Sequence, residues 1–149
     1  MSTRREFLAV TAPAMVGLSA ASKTSLKVVS SSAAPKAIGP YSHAIRAGNT
    51  LYVSGQIALD PSTGNLIEGD FAAQARRVFD NLRAVLKEAG ADFSRVVKAT
   101  VYLADLTNFP ALNSIYAEVF GEHKPARSTV GVAQLPRGAV VEIDLIAVV

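Results

Sequence analysis

Pro125-Ala126-Arg127-Ser128-Thr129, with the apolar run 130–134 behind it, decides how this chain folds. The stretch follows Gly121, a residue suited to ending a helix, and it leads into strand-like sequence. Arg127 therefore stands where a helix hands over to a sheet. A guanidinium entering a strand-rich core is costly to bury unless an anion meets it. Its planar fork suits a carboxylate or phosphate. The partner is either a protein carboxylate or a small anionic ligand.

Reading back from Arg127, residues 109–120 form an amphipathic helix. Phe109, Leu112, Tyr116, Val119 and Phe120 make its buried face, and Asn113 lies at the edge of that face. Thr107 or Asn108 can cap it, and Pro110 sits in its first turn. Residues 96–103 are rich in β-branched side chains and read as a strand. A longer helix is expected over 71–89, with Phe71, Ala75, Val78, Phe79, Leu82, Val85, Leu86 and Ala89 on one face. Asp70 is its expected N-cap and Gly90 its C′ residue. Before it, 42–47 and 51–54 are short strands around Gly48-Asn49, a pair that accepts positive φ. Gly55 closes the second of them and predicts a bulge or a close backbone approach.

Reading forward, strands are expected at 128–134 and 140–149. Along the last, Val140, Glu142, Asp144, Ile146 and Val148 share one face, and Val141, Ile143, Leu145, Ala147 and Val149 the other. The order is β-β-α-β-α-β-β. It predicts an α+β domain, a mixed sheet with two helices on one face. The face carrying Glu142 is too apolar for simple exposure and points to sheets packing together in an oligomer.

At 149 residues, half of them hydrophobic, the chain has room for one domain with a real core. The net charge of +3 is scattered, with no run of like charges, which argues against nucleic-acid binding. There is no cysteine, so disulfides, thiolate catalysis and Cys-ligated metals are excluded. His43 and His123 lack metal-ligand spacing, and no metal is expected.

The N-terminus differs from everything after it. Arg4-Arg5, then Phe7-Leu8, precede an Ala-rich apolar run that ends near Ala21. This resembles a twin-arginine export signal over residues 1–21, although Ala9 stands where such signals often carry lysine. The run is too short and weak for a stable membrane span. Residues 22–34 read as a linker and 35–149 as the folded domain. The expected location is periplasmic or secreted, the alternative being cytoplasmic.

Ile38-Gly39-Pro40-Tyr41-Ser42, Val53-Ser54-Gly55-Gln56-Ile57, Val97-Lys98-Ala99-Thr100-Val101-Tyr102-Leu103, Asn113-Ser114-Ile115-Tyr116, Pro125-Ala126-Arg127-Ser128-Thr129 and Val141-Glu142-Ile143-Asp144 occur in one order. Together they resemble the RidA (YjgF/YER057c/UK114) family of reactive-intermediate deaminases from residue 35 to the end. The resemblance implies a chorismate-mutase-like fold and a homotrimer with sites between subunits. It implies hydrolysis of 2-imino acids, such as 2-iminopropanoate and 2-iminobutanoate, to 2-keto acids and ammonia without a cofactor. Residue by residue, it implies that Arg127 clamps the substrate carboxylate and Glu142 helps place the attacking water. Tyr41, Gly55 and Asn113 would line the site. Thr129 stands among the substrate-binding positions where some members carry cysteine. The segment 121–124 before Pro125 is shorter than in some members and would reshape the rim.

The chemistry is self-consistent. A protonated imine carbon is already electrophilic, so the protein need only hold the substrate and orient water. If the last two strands formed a hairpin about Pro136-Arg137, Glu142 would lie opposite Gly131, roughly 13 Å of strand from Arg127. Either that connection is not a hairpin or the site closes across subunits. Two rivals stand beside the enzyme: a small-carboxylate binder or chaperone-like protein, and an endoribonuclease. A binder needs only the arginine, whereas an endoribonuclease is disfavoured by scattered charge and the lack of a histidine pair. His43 and Gln56 are read as structural.

Overall fold

The computed structural model describes residues 24–149. Six strands form one sheet: β1 (Leu26–Val29), β2 (Ala44–Ala47), β3 (Thr50–Gln56), β4 (Val96–Leu103), β5 (Ala126–Gly131) and β6 (Val141–Val148). Their spatial order is β1-β2-β3-β6-β4-β5. Every neighbouring pair is antiparallel except β4 and β5. Two helices, α1 (Phe71–Glu88) and α2 (Phe109–Phe120), pack on one face, and α2 makes the crossover that a parallel pair requires. This is the expected α+β mixed sheet.

The helices begin and end where their sequences provide the chemistry. The Asp70 carboxylate accepts the Ala73 N–H at 2.9 Å, and Gly90 follows α1 at φ 76°. At α2, Asn108 occupies the cap position without a side-chain bond. The corner is fixed instead by Asp105, whose carboxylate accepts the Thr107 N–H at 2.8 Å. The apolar stripe of α1 packs Val78, Phe79, Leu82, Val85 and Leu86 onto Ala99, Val101, Leu103, Val141, Ile143, Leu145 and Ala147, all fully buried. Truncating such a residue, for example Leu82→Ala, costs about 2–5 kcal/mol. Phe79, Phe93, Tyr116 and Phe120 add an aromatic cluster between the helices, with Tyr116 stacked on Phe120 at 4.3 Å between centroids.

Two expectations change, and the open question of the last two strands is answered. The stretch expected as a linker contains β1, which pairs with β2, and Ala34 is part of the core. The Ser-rich composition masks a short alternation in which Leu26 and Val28 share a face. The two last strands are not neighbours, because β4 lies between β6 and β5. Glu142 therefore stands opposite Tyr102, not Gly131. Phe109, expected in the core, is 39% exposed. The export signal read at 1–21 lies outside the described residues.

The face away from the helices follows the registers. One lane runs Val28, Ile45, Tyr52, Ile146, Lys98 and Ala126 across all six strands. Leu26, Val28, Tyr52 and Val148 remain exposed on it. A broad apolar sheet face without its own cover is the kind of surface that associating subunits bury.

Candidate functional site

Arg127 and Glu142 leave the sheet on opposite faces. Arg127 is in register with Ala99 and Leu145, both core residues under the helices. Glu142 is in register with Tyr102, an odd number of residues along β4 from Ala99, and so faces the other way. Two interstrand steps and three residues of strand separate their backbones by roughly 14 Å. Within one chain they do not share a cleft.

On the helix face, Arg127 meets α2. Its Nη2 donates to the Asn113 Oδ1 at 2.8 Å. Its guanidinium carbon lies over the Tyr116 ring, 4.6 Å from the centroid, and over Phe109 at 5.4 Å. Among the described residues the arginine ion pairs involve Arg76, Arg77 and Arg83 instead. A hollow of about 250 Å³ beside Arg127 is lined by Asn113, Tyr116, Ala117, His123 and Lys124. Gly121, His123 and Lys124 of the segment 121–124 border this hollow. His123 is anchored through Nε2 to the Val96 carbonyl at 2.6 Å. Thr129 projects toward the same sheet face as Arg127, with its Oγ1 buried and unpaired. Burial raises the Tyr116 phenol above its ordinary pKa, partly opposed by Arg127.

On the open face, Glu142 lies over Gly55. A Cβ at position 55 would overlap the Glu142 carboxylate where it now lies, so the glycine lets that side chain rest directly on the strand. The register shift between Val53 and Gln56 is the irregularity that Gly55 predicted. Ile38, Tyr41, Ser54, Ile57 and Pro136 complete a cleft of about 340 Å³ around Gly55 and Glu142. Tyr41 stands at its mouth, its hydroxyl accepting the Ile38 N–H at 3.2 Å. Burial, and secondarily the negative charge of Asp144, push the Glu142 carboxyl above the ordinary range. Tyr102 donates its hydroxyl to Asp144 at 3.0 Å, and this bond raises the phenol.

The predicted residues thus fall into two groups: Arg127, Asn113 and Thr129 on one face, and Glu142, Gly55 and Tyr41 on the other. His43 is structural, with Nδ1 accepting the Ser31 N–H at 3.0 Å and Nε2 bonded to the Pro35 carbonyl at 2.8 Å. Gln56 is buried against the carbonyls of Ser54 and Gly55. Sequence reading passed over Phe109 and Tyr116 as partners of Arg127. Their spacing with Asn113 puts all three on one side of α2, and this pattern was available.

The family model for endoribonuclease L-PSP matches residues 31–149. A RutC family protein of Pyrococcus abyssi is 50% identical over 121 residues, covering 81% of this chain and 95% of the relative. A 2-iminobutanoate/2-iminopropanoate deaminase of Mus musculus is 50% identical over 122 residues, covering 82% and 90%. The structure of the yjgF gene product of E. coli superposes with a TM-score of 0.77 at 43% identity, covering 82% and 98%.

Proposed function

The chain belongs to the endoribonuclease L-PSP (RidA) family, and from that premise we propose that it hydrolyses reactive 2-imino acids to 2-keto acids and ammonia. The observation that carries this reading is Arg127, a partly buried cation whose described partners are an amide and two rings rather than a carboxylate. Its free donors suit the carboxylate of a small acid.

In the proposed reaction, Arg127 orients the substrate through its carboxylate, and Asn113 steadies the guanidinium. Glu142 accepts a proton from water as the water oxygen bonds to the iminium carbon. Glu142 then delivers that proton to nitrogen, the C–N bond breaks, and ammonia leaves as Glu142 takes up the hydroxyl proton and the carbonyl forms. A carboxyl raised by burial is better matched to this exchange near neutral pH. Gly55 gives Glu142 its space, and the apolar wall of Ile38, Ile57 and Pro136 receives the substrate side chain.

Opposite faces cannot serve one small substrate within one chain, so this reading requires a neighbouring copy. The proposed assembly is a homotrimer in which Arg127 of one subunit meets Glu142 of the next, with the open apolar faces turned inward. An endoribonuclease role finds less support, since His43 is committed to backbone contacts and His123 to the Val96 carbonyl. We further propose that residues 1–21 direct export and are removed. Intact mass of the native protein should lack them, and a full-length cytoplasmic chain would contradict this.

The activity is tested by generating 2-iminopropanoate with an amino-acid oxidase and trapping it with semicarbazide. Wild-type protein should suppress semicarbazone formation and Arg127→Ala should not. Equal semicarbazone with both would remove the deaminase assignment. If pyruvate still bound to the wild type, the carboxylate-binder reading would replace it.

A further inference from the structure

An arginine reserved for a ligand poses a physical problem. Without a ligand, a partly buried guanidinium needs stabilisation, and a protein carboxylate would supply it at the cost of the donors the ligand requires. Arg127 resolves this differently. Its carbon lies within about 6 Å of two ring centroids, the range for attraction between a cation and a ring face. One nitrogen donates to the neutral oxygen of Asn113. Phe109, Asn113 and Tyr116 come from successive turns on one side of α2, so a single helix face supplies all three contacts.

We propose that Phe109 and Tyr116 are positioning residues that hold the Arg127 guanidinium by their rings in place of a counter-ion, leaving its charge and remaining donors to an incoming carboxylate. The two rings are secured differently. Tyr116 is wedged in the aromatic cluster, stacked on Phe120 and edge-on to Phe79. Its hydroxyl is buried without a hydrogen-bond partner, so the ring and not the phenol oxygen makes its contacts. Phe109 is 39% exposed, and its ring lies 5.4 Å from the Arg127 guanidinium carbon. It sits in the first turn of α2, beside Pro110, where the backbone is pinned.

The inference rests on Arg127 being the carboxylate clamp. It is tested with Phe109→Leu, Phe109→Tyr and Tyr116→Phe. Calorimetry gives the Kd of pyruvate, turnover of 2-iminopropanoate gives KM and kcat, and melting gives Tm. Phe109→Leu keeps apolar bulk but loses the ring. It should raise the Kd of pyruvate and KM together, about 3–30-fold, with kcat within about twofold and Tm unchanged. Phe109→Tyr and Tyr116→Phe keep a ring and should bind as wild type. Unchanged Kd and KM in Phe109→Leu would overturn the proposal, as would weakened binding accompanied by a matching fall in Tm. The failures are separable. Wild-type protein that binds pyruvate but does not consume 2-iminopropanoate defeats the deaminase reading and leaves the ring clamp standing. Wild-type protein that binds no carboxylate defeats the clamp.

Discussion

The Arg127 hollow and the Glu142 cleft are built on opposite principles. Arg127 is gripped by one helix face through rings and an amide, against a core packed from both sides. Glu142 sits on the uncovered side of the sheet, over a glycine, with another carboxylate two residues away. The first arrangement is complete within one chain. The second sits on a face whose apolar lane lacks a cover among the described residues. A fold that divides its charged residues in this way makes assembly a precondition of chemistry under the proposed mechanism.

The comparison can be broken most severely at Glu142. Glu142→Gln removes the proton acceptor and is expected to lower kcat about 10²–10⁴-fold, with pyruvate binding at Arg127 preserved. Loss of pyruvate binding as well would mean that Glu142 also holds the ligand rather than serving only the proton transfer. Mixing comes next. Arg127→Ala and Glu142→Gln chains, each inactive, are co-refolded in equal amounts. If sites form between neighbours in a ring of three, random mixing restores about a quarter of wild-type activity. No recovery in verified mixed assemblies would rule out a site shared in this way.

Gly55→Ala is the steric probe. The added methyl meets the Glu142 carboxylate, which must turn aside, so little stability but the present placement of that group is expected to be lost. Activity should fall roughly tenfold as Glu142 shifts, since small misplacements of a reacting group are costly. A variant with a normal rate would show that the reaction does not need the carboxylate in its present place.

The smallest effect is electrostatic. The folded-state pKa of Glu142 is raised, so the native protein holds its proton to higher pH than the unfolded chain. Stability from this group is fully present below the ordinary carboxylate pKa and is lost as pH rises through the folded value. Glu142→Gln should therefore melt slightly above wild type at neutral pH, and the gap should close on acidification. A gap that widens on acidification would show the sign to be wrong.

Much of this was legible in the chain. The stripe of α1 and its Asp70 and Gly90 ends were readable because they depend on local spacing and backbone geometry. Gly55 announced a close approach because a glycine inside a strand has few other uses. The alternation of β6 told which residues face the helices. The strand at Leu26–Val29 was hidden, because four residues in a Ser-rich stretch carry too little pattern to outweigh their surroundings. Phe109 was assigned to the core because helical spacing alone cannot separate a core side chain from one that turns toward a neighbouring cation.

By itself, the sequence determined the local elements, the two faces of each, and the identity of the charged residues that needed partners. Only the tertiary structure decided that β4 lies between β6 and β5, and with it that Arg127 and Glu142 point apart. Strand order depends on contacts between residues distant along the chain, whose energies come from burying whole faces together. No single stretch of sequence contains that sum.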